Sequence, residues 1–328
     1  SQRISTIYLP DRKRPMLPTL LSENLCSLLQ NESRFAFTID IHLDHTDHSS
    51  NQINILNISY FTTLINVRKN YRYDNDTLNS DSLYLNILNI SRNLCKKYKY
   101  IKEIKDSHDL IAFLMILMNY QTAKTMIHFQ DGIYRTIQLN ETPNPTTNLP
   151  TDILNFIKIW QSSSGQYTNF QNKSKHDLIS SDIEYYIHIT SPIRRLIDLL
   201  NIIKIQDNLN IIKMSDNAKS FYNQWIDHLD YINTTMRAIK KIQIDCNLLN
   251  LCTKNPHILD DIYDGYVFDK IIRENEYFQY TVYIPKIKII SRINIKNNLE
   301  EYTSMKFKII IIEDGITLKR KIRLIIKN

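Results

Sequence analysis

The chain has 328 residues, of which 43% are hydrophobic and 23% are charged. Such a length can bury a full core, and such a composition excludes an intrinsically disordered chain. The net charge of +7 and the isoelectric point of about 9.0 favour a polyanionic partner, although a mildly basic solvated surface has the same charge.

The cysteines indicate the cellular compartment, and the lengths of the apolar runs indicate whether the chain can span a membrane. The four cysteines show no CxxC pair or Cys/His cluster, so no zinc site is expected, and scattered thiols are typical of a reduced, intracellular protein of the cytoplasm. The longest apolar run, residues 110–118, is far shorter than the roughly 20 residues that span a bilayer. No signal peptide is visible, and because the chain begins with Ser1 and not Met, we expect a segment of a longer protein.

The first part of the chain predicts an antiparallel sheet that is half covered by core. Residues 35–43 alternate apolar and polar side chains, and residues 53–67 contain two runs that are rich in β-branched and aromatic residues. The polar residues 44–51 between them predict a hairpin connection.

Helices are predicted from residue 77 onward. One begins at Asp106 and runs to about Met126, and it is apolar nearly all round its first turns, which predicts deep burial. A loop is predicted at residues 142–149, from its prolines and asparagines. Further helices are predicted over residues 153–160, 196–205 and 218–251, the last as one long helix or a kinked pair.

A domain boundary is predicted where Pro256 breaks the helical pattern, giving domains at residues 1–255 and 256–328. About five short β runs follow this proline, which is the strand number of a small OB-type barrel. On the last run, a basic stripe typical of RNA-backbone binding consists of Lys319, Lys321 and Arg323. An edge strand protected by solvated lysines explains this stripe equally well.

A polar turn before the helix at residue 196 is the most informative local pattern. Ser191 is predicted to be the N-cap and Pro192 to lie in the first helical turn. Arg194 and Arg195 then lie where a helix N-terminus favours an anion, and a guanidinium fork suits a phosphate. An ordinary capped helix with surface arginines has the same local pattern.

The same residues carry a family resemblance. His188, residues 190–195 and Asp198 with the two leucines after it resemble the HFTSPIRRYxDLL signature of the RNase II/RNase R (RNB) family of hydrolytic 3′-to-5′ exoribonucleases. Residues 8–37 are similar to the YLPDRxxPMLPxxLSxxLCSLxxxxxRxAFS block of that family. Two blocks in the same order make the resemblance strong.

The resemblance implies an α+β fold: an RNB-type mixed sheet and helices around an RNA channel, followed by a small β-barrel (OB-fold). It implies single-stranded RNA as the partner, and we expect a monomer that binds no membrane. Arg194 matches the arginine placed against the RNA phosphate, whereas Tyr8 and Tyr73 match tyrosines that clamp or stack on the terminal nucleotide. Arg194 and Tyr8 are thus the catalytic candidates. Further RNA-binding candidates are Ser191, Arg195 and His188, the last expected to orient the turn and not to act as a base.

The resemblance also implies Mg²⁺, held by aspartates of a DxxxxxDxDD motif that normally precedes the YLPDR block. No DxDD string occurs in this sequence, so the metal ligands are expected outside this chain. Two glutamates of the LIEEFMLLAN helix are replaced by Ala112 and Phe113, and residues 238–243 offer no glutamate where the family has one. These departures count against an active enzyme.

The run KKYKY at residues 96–100 stands where the family has a longer hairpin with a base-stacking aromatic. Such a run can grip RNA by charge and stacking, but an exposed amphipathic helix end accounts for it more simply.

Three functions remain open from the sequence. The first is the RNA-channel part of an RNB exoribonuclease, and the second is a catalytically inactive relative that binds single-stranded RNA in regulation or assembly. The third is a structural subunit of a larger particle, which predicts no salt-dependent affinity for RNA.

Overall fold

The structure is a computed structural model that describes residues 3–44, 53–137, 149–162, 165–172, 183–273, 276–314 and 319–327. Its contacts group the chain into two compact units. The first unit comprises Ser1–Thr6, Pro15–Leu139 and Ser162–Thr235, and the second comprises Ile7–Arg14, Asn140–Gln161 and Met236–Asn328. The sequence-based division between residues 255 and 256 stays a prediction.

The chain combines helices with antiparallel strands, which confirms the mixed α+β class. The α-helices are α1 (Ser82–Tyr98), α2 (Ser107–His128), α3 (Thr151–Ser162), α4 (Leu196–Asn208), α5 (Asp216–Asp227) and α6 (Leu229–Lys254). The strands are β1 (Ile7–Tyr8), β2 (Lys13–Arg14), β3 (Ser33–Asp44), β4 (Asn54–Asn66), β5 (Ile133–Thr136), β6 (Gln166–Asn169), β7 (Ile262–Ile272), β8 (Phe278–Ile284), β9 (Ile289–Ile295), β10 (Ser304–Asp314) and β11 (Lys319–Lys327).

Strands β3 and β4 form a long antiparallel ribbon in the first unit, with a bulge between His42 and Leu43. The two β runs predicted in residues 53–67 are a single strand, and most of the predicted hairpin lies outside the described residues. Phe37 stacks on Tyr60 across the ribbon at 5.8 Å, and the Tyr60 hydroxyl lies 3.2 Å from the hydroxyl of Thr125 on α2. One face of the ribbon therefore packs on α2.

Helix α2 is the central helix of the first unit, and its predicted start is confirmed. Asp106 caps it by accepting a hydrogen bond from the Asp109 amide at 3.0 Å. Phe113 and Leu117 are almost completely buried. By length and composition α2 could cross a membrane, with a mean hydropathy of 1.3, but a buried core helix passes the same test.

Helices α5 and α6 are the kinked pair that the sequence left as one of two alternatives. The chain leaves helical geometry at His228, where φ is −108° and ψ is 25°. The predicted helices at residues 153–160 and 196–205 are confirmed as α3 and α4, while residues 142–148 of the predicted loop lie outside the described residues.

The second unit contains a five-stranded antiparallel sheet in the order β11-β10-β7-β8-β9. Its apolar core includes Val282, Phe307 and Ile309, each fully buried. Gly265 faces this core closely, because a Cβ atom there would lie 2.7 Å from Cδ2 of Phe307. Among the described residues no ladder joins the two outer strands, so the predicted small closed barrel is not confirmed.

The predicted basic stripe lies on β11, an outer strand of this sheet. Arg323 is exposed and Leu324 is buried, as alternation along a strand requires. The backbones of Lys319 and Lys321 belong to the same strand, but their side chains lie outside the described residues.

Candidate functional site

The segment before α4 is a separate turn and not the first turn of the helix. Helix α4 begins at Leu196, and Arg195 before it is extended, with φ of −136° and ψ of 124°. The Ser191 carbonyl accepts hydrogen bonds from the amides of Arg194 at 3.1 Å and Arg195 at 3.0 Å. The predictions that Ser191 caps the helix and that Pro192 lies in its first turn are therefore wrong.

Residues from the start of the chain hold this turn in place. Arg195 forms an isolated β-bridge with Ser5, and the Leu196 amide donates to the Ile4 carbonyl at 2.9 Å. The Arg194 carbonyl accepts from the Thr6 amide and from the Ser5 hydroxyl, both at 3.0 Å. The backbone of Arg194 is thus fixed on both sides by an extended segment far away in sequence.

Asp198 lies beneath the turn and is completely buried. Its Oδ2 accepts hydrogen bonds from the Ser191 amide at 2.7 Å and from Nη2 of Arg195 at 2.9 Å. Nε of Arg195 lies 2.8 Å from Oδ1, although these two atoms are not aligned for a hydrogen bond. Burial raises the pKa of Asp198, and the positive charge of Arg195 acts against that rise. The Asp198 carboxylate therefore ties the beginning of the turn and the Arg195 side chain to α4.

His188 completes the contacts of Arg195. Its Nδ1 lies 3.2 Å from Nη1 of Arg195 and 2.8 Å from the Tyr167 hydroxyl. A guanidinium group only donates hydrogen bonds, so Nδ1 must be the acceptor and the imidazole carries its proton on Nε2. His188 is therefore held as a neutral acceptor that orients Arg195.

Two buried asparagines, which the sequence did not single out, support this segment. Asn201 donates to the His188 carbonyl at 3.0 Å, and Asn119 on α2 donates to the Tyr186 hydroxyl at 2.9 Å. Both asparagines are completely buried, so their hydrogen bonds fix the position of the segment that carries His188. We call the set the polar network: Asn119, Tyr167, Tyr186, His188, Arg195, Asp198 and Asn201.

Arg194 and Arg195 differ in their exposure and in their contacts. Its side chain is exposed, and among the described residues it forms no ion pair. Arg195 is only 18% exposed and is committed to Asp198 and His188. The structure therefore presents one free guanidinium group on a rigid turn, while the second arginine belongs to the scaffold beneath it.

The two candidate tyrosines lie on other segments. Tyr73 belongs to the first unit, is 48% exposed, and stacks on His108 with ring centroids 3.9 Å apart. Tyr8 belongs to the second unit and is 47% exposed, and its carbonyl accepts a hydrogen bond from Gln243 at 3.1 Å. Both rings are accessible to a stacking partner, but neither is part of the polar network.

The described residues do not fit a magnesium site. They contain no group of three or more histidine, cysteine, aspartate or glutamate side chains that could hold a metal ion. Phe113, which stands at the position of a family glutamate, is fully buried and stacks on Tyr100 at 5.8 Å. That position is now part of the apolar core.

The aromatic residues of the KKYKY run also belong to the core. Tyr100 is 4% exposed, and burial raises the pKa of its hydroxyl. The Tyr98 hydroxyl accepts a hydrogen bond from the Ile55 amide at 3.3 Å. Base stacking on Tyr100 is therefore excluded in this structure.

The turn that carries Arg194 lies in a unit of mixed helices and antiparallel ribbons, and this fold is similar to that of ribonucleases with an RNB domain. The sequence profile of the RNB domain matches residues 1–82. Ribonuclease R from Chlamydia pneumoniae is 24% identical over 265 residues, which cover 61% of this chain and 38% of that protein. The first 82 residues are thus similar to the RNB domain, and the part of the chain that matches ribonuclease R spans less than two fifths of that relative.

Solved structures show the same fold. RNase R from Mycoplasma genitalium in complex with ribose-methylated single-stranded RNA superposes with a TM-score of 0.62 at 19% identity, covering 98% of this chain and 63% of that chain. Yeast Ssd1, a pseudonuclease, superposes with a TM-score of 0.60 at 14% identity, covering 93% of this chain and 44% of that chain. The fold is therefore similar to those of a ribonuclease and of a pseudonuclease.

Proposed function

We propose that the protein is an RNB-family 3′-to-5′ exoribonuclease that hydrolyses single-stranded RNA, and that Arg194 holds an RNA phosphate. The observation that carries the proposal is the contrast between the free guanidinium group of Arg194 and the committed one of Arg195. A forked, permanently charged donor on a fixed backbone is well suited to a phosphodiester. The RNA in the complex of Mycoplasma genitalium RNase R supports single-stranded RNA as the ligand.

The remaining candidates have supporting positions in this proposal. The polar network positions Arg194 by fixing the turn, because Asp198 accepts from the Ser191 amide and Arg195 contacts both Asp198 and His188. Tyr8 and Tyr73 offer exposed rings on which bases can stack. We propose that the five-stranded sheet acts as a degenerate OB-type RNA-binding module, with Arg323 and the lysines of β11 on the RNA side, in a monomeric cytoplasmic protein.

Hydrolysis of a phosphodiester requires an activated water, which a divalent metal ion supplies in RNB exoribonucleases. The described residues do not supply a ligand set for such an ion, so no hydrolytic step is assigned to them. We propose that Mg²⁺ ligands lie outside these residues. The contribution of the described residues is to bind the RNA and to fix its backbone.

A second function is favoured by the buried Phe113. This side chain has lost the chemistry of the family glutamate and has become core, as expected for a relative that retains RNA binding without turnover. The likeness to the fold of yeast Ssd1, a pseudonuclease, is consistent with this alternative.

One experiment separates the two functions. The full-length protein that includes this chain is mixed with Mg²⁺ and a 3′-tailed single-stranded RNA labelled at its 5′ end, and binding and shortening of the RNA are followed together. We expect Arg194→Ala to weaken binding roughly 10- to 100-fold, because a hydrogen bond to a charged group contributes about 1.5–3 kcal/mol. Shortening of the RNA from its 3′ end supports the exoribonuclease, and binding without shortening supports the inactive relative.

Two further variants serve as controls. Arg194→Lys keeps the charge and loses the fork, so we expect affinity between those of the wild type and of Arg194→Ala. Lys213→Ala removes an exposed charge elsewhere in the first unit and should leave binding nearly unchanged. Equal affinity of Arg194→Ala and the wild type would overturn the role given to Arg194.

A further inference from the structure

A cleft with a volume of about 720 Å³ lies at the C-terminal end of α1. One wall is a single face of the helix, because its lining residues recur at steps of three and four. The other wall is the segment 101–104 that follows the helix. We call this site the basic cleft and define it by Asn89, Arg92, Asn93, Lys96, Lys99 and Lys102.

The backbone of the basic cleft is well fixed. Arg92 donates from Nε to the Ile104 carbonyl at 3.0 Å and from Nη2 to the Lys105 carbonyl at 3.3 Å, which ties the second wall to the helix. Cys95 donates to the Ile101 carbonyl at 3.4 Å from beneath. The lysines around the opening are therefore displayed from a rigid frame.

The cations of this segment face outward while its aromatic rings face inward. Lys96, Lys99 and Lys102 are exposed, whereas Tyr100 is buried. No aromatic residue lines the cleft, so it offers no ring on which a base can stack. A ligand is recognised there by its negative charge.

The lysines of the basic cleft are more than the dipole of α1 requires at its C-terminal end. A dipole acts within the last turn of a helix, where Lys96 lies, but Lys99 and Lys102 lie beyond the last helical residue. Four cationic side chains line the cleft and only Glu103 opposes them. A phosphate-rich polymer fits this excess of positive charge, and small hydrophobic ligands do not.

We propose that the basic cleft binds phosphate groups of single-stranded RNA and is a second RNA contact, separate from Arg194, that does not read bases. The inference rests on the proposed function in one respect, since the RNA that reaches the cleft is the RNA that the Arg194 turn holds. Recognition by charge alone predicts little sequence preference and a strong salt dependence.

The test compares salt dependence of RNA binding for the wild type and for the variant Lys96→Gln/Lys99→Gln/Lys102→Gln. Fluorescence anisotropy of a labelled single-stranded RNA gives the affinity over a series of salt concentrations. Each phosphate contact contributes a slope of about 0.7 in log K against log salt, so three lost contacts should reduce the slope by about 2. We expect the variant to bind roughly tenfold or more weakly at low salt.

Matched variants make this result specific. Lys96→Arg/Lys99→Arg/Lys102→Arg keeps the charges and should keep the slope of the wild type. Lys213→Gln/Lys219→Gln removes two exposed charges from the same unit and should change the slope little. If the triple glutamine variant does not fold, the single variant Lys102→Gln in the loop replaces it, with a slope change of about 0.7.

Hydrogen exchange of the wild type gives an independent readout. RNA should slow exchange in the peptide that contains residues 99–105, and inorganic tripolyphosphate should produce the same protection. An unchanged slope in the glutamine variant, with Arg194→Ala still weakened, would overturn the basic cleft and leave the proposed function standing. A wild type that binds no single-stranded RNA would overturn both.

Discussion

Different interactions hold two regions of the molecule in place, the polar network beneath the turn and the apolar core of the five-stranded sheet. The network fixes one geometry through hydrogen bonds and a buried charge pair, whose members include Asp198 and Arg195. The sheet core fixes its geometry by packing, with Phe307 filling the space above Gly265. In the network the chemical identity of each group matters, whereas in the sheet the volume of each group matters.

This difference explains where a binding site can be built. The buried Arg195 of this network faces Asp198 and His188 and not solvent, so binding falls to the exposed residue next to it, Arg194. The apolar side chains of the sheet core make no directional hydrogen bonds, and the core tolerates apolar substitutions that conserve volume. Substitutions that keep shape but change chemistry should therefore harm the network most.

The largest expected effect is that of Asp198→Asn. This change keeps the size of the side chain but removes the charge that Arg195 pairs with, and breaking a buried ion pair costs about 3–5 kcal/mol. Urea denaturation measures the free energy of unfolding. Asp207→Asn on the same helix is the control, because its carboxylate is partly exposed and accepts from the Met214 amide at 2.9 Å. If Asp198→Asn lowers the free energy of unfolding no more than Asp207→Asn does, the chemical identity of the buried carboxylate does not matter as argued.

The next effect is that of Gly265→Ala in the sheet. An added Cβ atom would approach Phe307 to 2.7 Å and Val282 to 3.1 Å, so one of these side chains must move. Overpacking of a core costs about 1–3 kcal/mol. The double variant Gly265→Ala/Phe307→Val opens space for the new methyl group, and its loss should be smaller than the sum of the two single losses. If the loss of stability in the double variant equals the sum of the two single losses, the added methyl group and Phe307 do not compete for the same space.

A smaller effect is expected of Phe307→Leu. Leucine keeps most of the apolar volume, and such swaps in a packed core usually cost less than about 1.5 kcal/mol. Phe307→Ala leaves a cavity and should cost about 3–5 kcal/mol. Thermal and urea unfolding of the two variants show whether volume or chemical identity controls the sheet. A leucine variant as unstable as the alanine variant would show that the sheet needs the aromatic ring itself.

Local patterns predicted the elements of this fold better than its site. Alternation revealed the ribbon of β3 and β4, and the Asp106 cap marked the start of α2 correctly. The start of α4 was missed because residues 4–6 hold Arg195 in an extended conformation, so the helix begins only at Leu196. These partners lie far from the turn in sequence, so no local pattern contains them.

The polar network was beyond local prediction for the same reason. Asn119 lies 70 positions from Ile189 in the sequence. Its side-chain oxygen accepts a hydrogen bond from the Ile189 amide at 3.0 Å. The single signal in the sequence is an asparagine within the apolar run of α2. The KKYKY run was also hard to interpret from sequence. Its composition did not reveal which side chains face the core and which face solvent.

The smallest expected effect concerns a single carboxylate, Asp81, at the start of α1, whose contribution depends on pH. Asp81 caps α1, accepting from the Leu83 amide at 2.9 Å, and also contacts the Tyr71 hydroxyl and the Arg68 guanidinium. The Tyr71 hydrogen bond is the main cause that lowers the pKa of Asp81 to about 2.

The contribution of Asp81 to stability should depend on pH. The folded-state pKa of Asp81 lies below its ordinary value of 3.8, so its stabilisation is present above that value and is lost as the pH falls towards about 2. Urea midpoints measured across this acid range should fall for the wild type and fall less for Asp81→Asn. An unchanged acid slope in Asp81→Asn would show that other carboxylates control acid unfolding.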